Sequence, residues 1–426
     1  MVDSLKNNFF LFPALLLASL LYCKVIPVQT TRPYRSLVEC QNAAAFEGQI
    51  VKSPVAGQSR SKKCKITLSL SQVWDKNGLT AKAQGLADVY IPQELYEACQ
   101  PGKLYTAWRG KRAGFLLDNG AVVKLSARES RFQRPGEKHA FESDQVFSCA
   151  YKSGLWGRLQ EIRALSRLHF TRLMYAWGSA GGLLLALLSG SRAYLPQDAQ
   201  DSFRLAGLSH VLALSGMHLS LIGGLAFSLG KKSAGKKFAL FLQFFCILAF
   251  VWFAGKSPSL FRALLCSLFA FFSGTFKIRL KSPLNSLALV FLVHAALFPE
   301  DIFELSFMLS YGALFGILAF NEFVAKRLLT ALPNGAGASL SSSIGAQLAT
   351  APISLKFFGL VAPAGILSSA AISPLVTLFV YLGLFFVLIS LVFPFLAPFC
   401  GGLLGLLYKA ISQGVIFFSK IPCVKI

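Results

Sequence analysis

Two histidines, two serines and an arginine lie in one otherwise apolar stretch, residues 203–218, which reads FRLAGLSHVLALSGMH. Ser215 and His218 are three residues apart, so they share one face of a helix. A serine beside a histidine can act as a nucleophile with its general base, which would make this stretch an intramembrane hydrolase site. Three residues along one helix is a poor geometry for attack, because the nucleophile also needs an oxyanion site and a substrate channel.

The alternative role for this stretch is a polar lining. Polar side chains within an apolar segment are costly, so they normally face a bundle interior or a watery cavity. His210 lies eight residues before His218, about 80° around a regular helix. Gly207 and Gly216 permit close packing or a local break that could bring the two rings together. Histidines that only bond neighbouring carbonyls would fit the same pattern, so the residues alone leave a lining role and a structural role open.

The chain as a whole is too apolar for a soluble protein. Of its 426 residues, 54% are hydrophobic and 14% are charged, and the mean hydropathy is +0.56. Lys and Arg number 42 against 19 Asp and Glu, a formal charge of +23. This composition excludes a wholly soluble protein and predicts a basic exposed surface that favours anionic partners, either lipid head groups or nucleic acid.

The N-terminal part predicts an anchor followed by a water-exposed β domain. The apolar run 9–26 can cross most of a bilayer core of roughly 30 Å, so residues 1–29 are predicted to be a membrane anchor helix. A signal peptide is the alternative, but residues 27–29, Pro-Val-Gln, form a poor cleavage site. Residues 30–153 contain short alternating runs between turn pairs, typical of a small barrel of the OB type. The predicted strands are 46–52, 64–74, 83–91, 104–109 and 121–125.

Side chains of this domain suggest two further properties. An OB barrel often binds single-stranded nucleic acid on aromatic platforms in a basic groove, although strand aromatics are more often core. The candidate platforms are Trp74, Tyr90, Tyr105 and Trp108. Four cysteines in a domain expected to lie outside predict at least one disulfide; they are Cys40, Cys64, Cys99 and Cys149. Zinc is the weaker alternative, because no CxxC pair occurs and His139 is the one nearby histidine.

The rest of the chain predicts a polytopic helical membrane domain. Residues 154–175 place leucines among arginines and predict a basic amphipathic helix on the membrane surface. Its arginines would meet lipid phosphate or, as the weaker alternative, a passing nucleic acid. Residues 176–426 hold apolar runs for about eight or nine helical passes. The runs are 176–190, 207–229, 238–254, 258–276, 283–298, 303–320, 340–358, 363–393 and 396–419. The run 363–393 contains Pro374 and is predicted to be two segments or one broken helix.

Basic loops predict the orientation. Residues 231–237, 277–281 and 326–327 recur after every second pass, so all three can be cytoplasmic at once. The β domain then lies outside the cell only if the run 176–190 does not cross fully. We therefore expect this run to be re-entrant or interfacial. The predicted fold is a polytopic α-helical membrane protein with an inserted OB-like β domain near its N-terminus.

Several motifs in the same order resemble the ComEC-type competence proteins over about residues 5–420. The stretch 207–218 is similar to the family's G-x-x-H-x-L-a-x-S-G-x-H string. The other matching stretches are LLSGSR at 187–192, SPSLFRA at 257–263, PEDIFELSF at 299–307 and the Q-x-x-x-x-P-x-x-x-x-F-x-G pattern at 347–359. The family tends to have Asn where this chain has Ser369, which leaves the role of that region in doubt.

The resemblance implies an inner-membrane channel component that admits one strand of transforming DNA. The functional motif residues would be Arg204, Gly207, His210, Ser215, Gly216, His218 and Arg262. A moving phosphate backbone is bound by flexible basic side chains, so Arg192 and Lys256 are further candidate contacts. Each of these arginines and lysines could instead lie at the membrane border and extend its charged group to the lipid interface. A small-molecule or lipid-linked permease explains the helices but not the basic external domain.

The resemblance also implies what must come from elsewhere. Many family members end in a metallo-β-lactamase-like domain with an H-x-H-x-D-H metal site, which the five histidines of this chain cannot form. We therefore expect no metal, no cofactor and no enzyme activity, with strand degradation supplied by a separate nuclease. The sequence has no GxxxxGK[ST] motif, so a partner motor or a gradient would supply energy. The other expected partners are single-stranded DNA, membrane lipids, a DNA-delivery protein and a second copy of the chain.

Overall fold

The computed structural model describes residues 10–22, 35–36, 38, 42–56, 63–102, 114–129, 140–212, 214, 216–255, 257–276, 282–328, 334–422 and 424–425. Several predicted features lie outside these residues. They are the strand 104–109 with Tyr105 and Trp108, the basic loop 277–281, and the residues Cys40, His139, Ser215 and Lys256.

The first helix, α1 (Leu11–Tyr22), is uniformly apolar and leans on the membrane half of the chain. The Phe10 amide donates to Asn285 Oδ1 at 2.9 Å, and Lys356 Nζ donates to Tyr22 Oη at 3.2 Å. Phe12 is exposed on its outer side. The helix therefore docks on the bundle, and its role as a membrane anchor stays a prediction.

A nine-stranded sheet follows among the described residues. Its strands are β1 (Arg35–Ser36), β2 (Ala43–Ala56), β3 (Lys63–Asp75), β4 (Thr80–Gln84), β5 (Leu86–Pro92), β6 (Val122–Ser126), β7 (Arg128–Glu129), β8 (Ala140–Glu142) and β9 (Val146–Ala150). The short helix α2 (Gln93–Cys99) follows β5. In β3 the side chains of Cys64, Ile66, Leu68 and Leu70 alternate inward, the period that a half-buried strand requires. Ile66, Leu68 and Leu70 share one hydrophobic cluster with Phe46, whose ring meets that of Phe141 edge-on at 4.5 Å.

The strand order β7-β8-β5-β3-β2-β6-β9 is an open path in the described residues. The predicted N-terminal sheet is therefore confirmed, but it is not a closed barrel, and its exposure to water outside the cell stays a prediction. Strand β2 pairs antiparallel with both β3 and β6, and β5 pairs parallel with β8. Register shifts in the β2–β3 pairing, as between Glu47 and Gly48, bend the sheet in the way that bulges do.

Helices make up most of the remaining chain. They are α3 (Leu155–Ala176), α4 (Gly178–Ser189), α5 (Gln197–Leu205), α6 (Ser209–Leu212), α7 (Gly216–Ala254), α8 (Pro258–Phe276), α9 (Pro283–Leu297), α10 (Leu305–Leu328), α11 (Asn334–Phe358), α12 (Ala364–Val392) and α13 (Ala397–Ser419). Short 3-10 turns lie at Pro299–Phe303 and Pro394–Leu396, and β10 (Leu360–Val361) pairs with β11 (Val424–Lys425).

Helix α7 is a hairpin of two arms. Ala234 and Gly235 leave the helical conformation, and Gly235 has φ +81°. A Cβ atom on Gly230 would lie 2.7 Å from the Ala239 Cα atom, so the second arm folds back on the first. The two predicted passes 207–229 and 238–254 therefore correspond to one hairpin that starts at Gly216.

Three helical stretches are long and apolar enough to cross a membrane in the described residues: Gly216–Ala254, Ala364–Val392 and Pro394–Ser419. Shorter apolar helices accompany them at Leu11–Tyr22, Gly178–Ser189, Pro258–Phe272, Pro283–Leu297 and Leu305–Phe320. The run 363–393 forms one helix with Pro374 inside it, not two segments. The number of crossings stays a prediction.

The run 176–190 corresponds to α4, which lies inside the bundle. Every residue from Ala180 to Ser189 is buried. Twelve residues span about 18 Å, well short of a bilayer core of about 30 Å. An interfacial helix would expose one face, so the prediction that this run is interfacial is wrong. The alternative, that the run is re-entrant, stays a prediction. Neighbouring helices approach α4 through small residues: Gly383 lies against Leu184, and Gly401 lies against Trp177, the residue just before α4.

Helix α3 is amphipathic, as predicted, but its basic side faces the protein. Arg163 and Arg172 are buried, whereas Leu155 is 82% and Trp156 69% exposed. The prediction that the arginines meet lipid phosphate is therefore wrong for these two residues. Exposed leucines with buried arginines are the pattern expected of a helix whose outer side contacts lipid, and the position of α3 at the membrane surface stays a prediction.

Candidate functional site

The motif stretch begins with a helix end that requires glycine. Helix α5 stops at Leu205, and Gly207 takes φ +73°, a left-handed conformation. The Leu208 amide donates to Phe203 O at 2.8 Å, and the Gly207 amide donates to Arg204 O at 3.1 Å. These two bonds are the Schellman motif, which satisfies carbonyls that the helix leaves open and favours Gly at this position.

The same glycine meets a distant glycine. A Cβ atom on Gly207 would lie 2.6 Å from the Gly365 Cα atom. Gln347 Nε2 donates to Ala362 O at 2.7 Å, and Ser368 Oγ donates to Ala206 O at 2.7 Å. Two stretches that the sequence separates by about 140 residues, 203–218 and 347–368, therefore form one tightly packed junction, which we call the Gly207 junction.

The end of the motif stretch is held by the first turn of α8. Ser259 Oγ donates to Leu214 O at 2.5 Å. The Arg262 guanidinium lies over Gly216, where a Cβ atom would come within 3.2 Å of Nη2. Arg262 Nη1 also donates to Ser310 O at 2.7 Å. A third motif, SPSLFRA, thus clamps the start of α7 to α10.

The two motif histidines occupy different environments. His210 is exposed on α6, and its Nδ1 lies 3.2 Å from Gly207 O. His218 belongs to α7 and is 0% exposed. Helix α6 ends at Leu212 and α7 begins at Gly216, so the regular helical spacing used for the sequence prediction does not apply between the two histidines. Ser215 lies outside the described residues, so the relation between Ser215 and His218 stays a prediction.

The four candidate phosphate contacts are not equivalent. Arg204 is exposed at the end of α5, and Arg192 is half-buried in the turn after α4. Arg262 bonds a backbone carbonyl and lies 5.9 Å from the centre of the Tyr311 ring, so protein groups surround it. Lys256 lies outside the described residues. On exposure alone, Arg204 is the residue best placed to meet a mobile phosphate.

A buried polar chain that we did not predict lies behind Arg262. His294 Nε2 lies 3.3 Å from Asp301 Oδ2, and His294 Nδ1 lies 3.2 Å from Tyr311 Oη. All three side chains are buried. The signal available in the sequence was one histidine within the apolar run 283–298 and an acidic turn after it, but nothing in that pattern pairs the two.

In the β domain, Trp74 and Lys124 form the clearest aromatic and basic pair. Lys124 Nζ lies 3.6 Å from the centre of the Trp74 ring, a cation–π contact on the half-buried indole. At the other end of β3 the lysines are paired with acids: Lys65 with Asp88 at 2.7 Å and Lys63 with Glu142 at 2.7 Å. The predicted platform Tyr90 is half-buried.

The cysteine prediction needs correction. Cys64, Cys99 and Cys149 are free thiols, so no disulfide joins these three, and Cys40 lies outside the described residues. Burial raises the pKa of Cys64 to about 12 and that of Cys149 to about 11. Over the described part of the chain, no three His, Cys, Asp or Glu side chains are grouped as metal ligands would be.

Comparison with known proteins places these features in a family. The sequence model of the competence protein family matches residues 187–426. The chain is 27% identical over 178 residues to ComE operon protein 3 of Bacillus subtilis, an alignment covering 42% of this chain and 22% of the relative. It is 30% identical over 156 residues to Recombination protein 2 of Haemophilus influenzae, covering 34% of this chain and 19% of the relative.

The chain therefore spans about a fifth of the length of the curated relatives that it matches. No solved structure matches it. The family match covers more than half of the chain and includes the Gly207 junction and the Arg262 clamp. The chain belongs to the competence protein family, of the ComEC type.

Proposed function

We propose that this protein is an inner-membrane channel component that passes single-stranded transforming DNA into the cytoplasm. The β domain receives the strand, and the stretch 203–218 lines its route into the helical bundle. The observation that supports this most directly is the meeting of three family motifs around one polar stretch. Gly216 lies against Arg262, and Gly207 lies against Gly365, beside which Gln347 of the third motif donates to Ala362 O. Motifs that serve only local folding have no reason to converge in this way.

The β domain has the features of an OB-like strand receptor. An OB fold is a partly open five-stranded barrel. Here α2 follows β5, and β5 pairs parallel with β8. Strand β8 also pairs with β7, which only Ala127 separates from β6. The pair β7–β8 can therefore curve around one edge of the open sheet. Trp74 offers a face on which a base can stack if Lys124 moves to a phosphate, the combination that single-strand binding uses.

The course of α7 supports an external β domain. Four exposed lysines surround the hairpin turn at Gly235, and Lys-rich loops favour the cytoplasmic side. The second arm then runs to Ala254, at the opposite end, where Arg167 of α3 bonds the Ala254 carbonyl at 2.9 Å. The β domain and α3 therefore lie at the end of the bundle away from the lysines.

Other components complete the proposed pathway. A DNA-delivery protein would bring the strand to the β domain, a separate nuclease would degrade its complement, and a cytoplasmic motor would draw it inward. A second copy of the chain could share the route. A Ser215/His218 hydrolase is the alternative, but His218 is 0% exposed, which gives a substrate no access in the structure described.

Uptake of labelled DNA tests the proposal. Cells lacking this protein should fail to accumulate DNase-protected single strands, and the complete chain supplied in trans should restore them. Normal accumulation without the protein would overturn the proposal.

Binding by the purified protein tests the receptor. Trp74→Leu should weaken oligothymidylate binding about tenfold, the order of one lost stacking contact. Lys124→Gln should weaken binding and reduce its salt dependence. Lys76→Gln removes the same charge from an exposed turn and is the matched control. Equal binding by all four proteins would exclude this face.

A further inference from the structure

One arginine joins the β domain to the helical bundle through a buried bridge. Arg167 Nε lies 3.2 Å from Asp118 Oδ2 of the β domain. Arg167 Nη1 donates to Phe253 O and to Ala254 O, both at 2.9 Å. The Arg167 side chain is 13% exposed and that of Asp118 is 9% exposed, so water competes little for these bonds.

The carbonyls that Arg167 binds are at the end of α7. The last carbonyls of a helix have no partner within it, and that end carries partial negative charge. A planar guanidinium can satisfy two of them while its Nε faces a carboxylate, which a lysine ammonium cannot do in the same geometry. Arg167 therefore fixes where α7 ends relative to the β domain.

Arg163, one turn earlier, makes a second contact with the same place. Its Nη2 donates to Ser53 Oγ at 3.2 Å, and a Cβ atom on Gly255 would lie 2.6 Å from Nη2. Gly255 has φ +95°, so both its backbone and its lack of a side chain suit this contact. The two arginines thus hold residues 253–255 against the β domain.

Residues 253–255 lie next to the clamp on the motif stretch. Five residues after Ala254, Ser259 donates to Leu214 O, and Arg262 lies over Gly216. Helix α8 begins at Pro258, so Ser259 and Arg262 move as one rigid turn. A shift of the chain at Ala254 is therefore passed to both sides of the start of α7.

We propose that Arg167 is a positioning residue that couples the β domain to residues 208–218 of the motif stretch through residues 253–255 and the first turn of α8. A strand bound by the β domain would displace Asp118, and with it the clamp at Leu214 and Gly216. The response to DNA rests on the proposed function, whereas the positioning role does not.

Amide hydrogen exchange of the full chain in nanodiscs, without DNA, tests the positioning role. Arg167→Gln should speed exchange in peptides covering 208–220 about tenfold, because a buried charged hydrogen bond restrains local opening. Lys52→Gln is the matched control. It breaks the Lys52–Glu304 pair at the same domain boundary, but those side chains are 56% and 39% exposed, so it should change nothing in 208–220.

Asp118→Asn provides a second variant if Arg167→Gln folds poorly, since it retains the carbonyl bonds and weakens only the link to the β domain. Unchanged exchange in peptides covering 364–419 establishes that each variant is folded. If Arg167→Gln and Asp118→Asn alter only peptides around 250–256, or match Lys52→Gln in 208–220, the positioning role is overturned.

Oligothymidylate added to the same samples tests the coupling. In the wild type it should protect β-domain peptides and change exchange in 208–220; in Arg167→Gln it should protect the β domain alone. Binding to the wild type without a change in 208–220 overturns the coupling. Absence of binding overturns the proposed receptor function and leaves the positioning result standing.

Discussion

Gly207 and Gly365 approach so closely that a Cβ atom on Gly207 would stand 2.6 Å from the Gly365 Cα atom. This contact joins the end of α5 to the start of α12, and Ser368 adds a bond to Ala206 O on the same turn. The glycine of the motif is thus required by backbone conformation and by space together. A catalytic role for the motif histidines would require neither the left-handed conformation nor the missing side chain of Gly207.

Gly207→Ala should therefore lower stability by about 2–4 kcal/mol, the sum of a left-handed alanine and an overpacked contact. The measurement is thermal unfolding of the purified protein, with abundance in cells as a second readout. Gly224→Ala is the control, because no atom lies within 4 Å of its Cβ position and its φ is not left-handed. Equal melting temperatures for the two variants would contradict the junction described.

Replacing Arg204 and replacing Arg262 should have different effects on uptake and abundance, because the two side chains have different surroundings. Arg204→Gln should reduce DNA uptake at unchanged abundance, because Arg204 is exposed at the end of α5, and a contact with the phosphate backbone would lose its charge. Arg204→Lys should be milder. Arg262→Gln should reduce abundance as well, since Ser310 O loses its donor and the packing over Gly216 is lost.

Wild-type uptake in Arg204→Gln at matched expression would assign Arg204 to the lipid interface. Normal abundance of Arg262→Gln with lost uptake would move Arg262 from the clamp to the DNA route.

The helical half of this fold was predictable, and the partners of its polar groups were not. Apolar runs mark helices such as α12 because bilayer thickness and residue spacing act locally. Helix α3 was predicted as amphipathic, yet its pattern does not say which face is outside when the exterior is lipid. Arg167 and Asp118 are 49 positions apart, and no local rule pairs them. The Gly207 contact with Gly365 likewise depends on the course of the whole bundle.

The buried thiol of Cys64 should make the β domain less stable at high pH. Burial raises the pKa of Cys64 from 9.0 to about 12, so its thiol stays protonated where an unfolded cysteine already ionises. In the native protein, maleimide should label Cys64 far more slowly than the unfolded chain at pH 8. As the pH rises above about 9, the unfolded state loses its proton first, so the β domain should lose stability.

Mass spectrometry of unreduced, unfolded protein checks the accompanying correction. Cys64, Cys99 and Cys149 should all be alkylated without reductant, because each is a free thiol. Failure of any of them to react until a reductant is added would restore the disulfide prediction.

The motif histidines should differ in what their replacement costs. His218 is fully buried, so His218→Leu should repack the bundle and lower abundance, whereas His218→Gln keeps size and hydrogen bonding and should retain partial uptake. His210 is exposed, so His210→Leu should leave abundance unchanged and lower uptake if His210 lines the route.

Ser215→Ala should have a mild effect if Ser215 lines the route, whereas a hydrolase would lose all activity from Ser215→Ala and from His218→Gln alike. Measuring uptake and abundance together distinguishes the three roles. Complete loss of uptake in Ser215→Ala and His218→Gln with normal folding would favour Ser/His chemistry. Normal uptake in His210→Leu and His218→Leu would show that both histidines are structural.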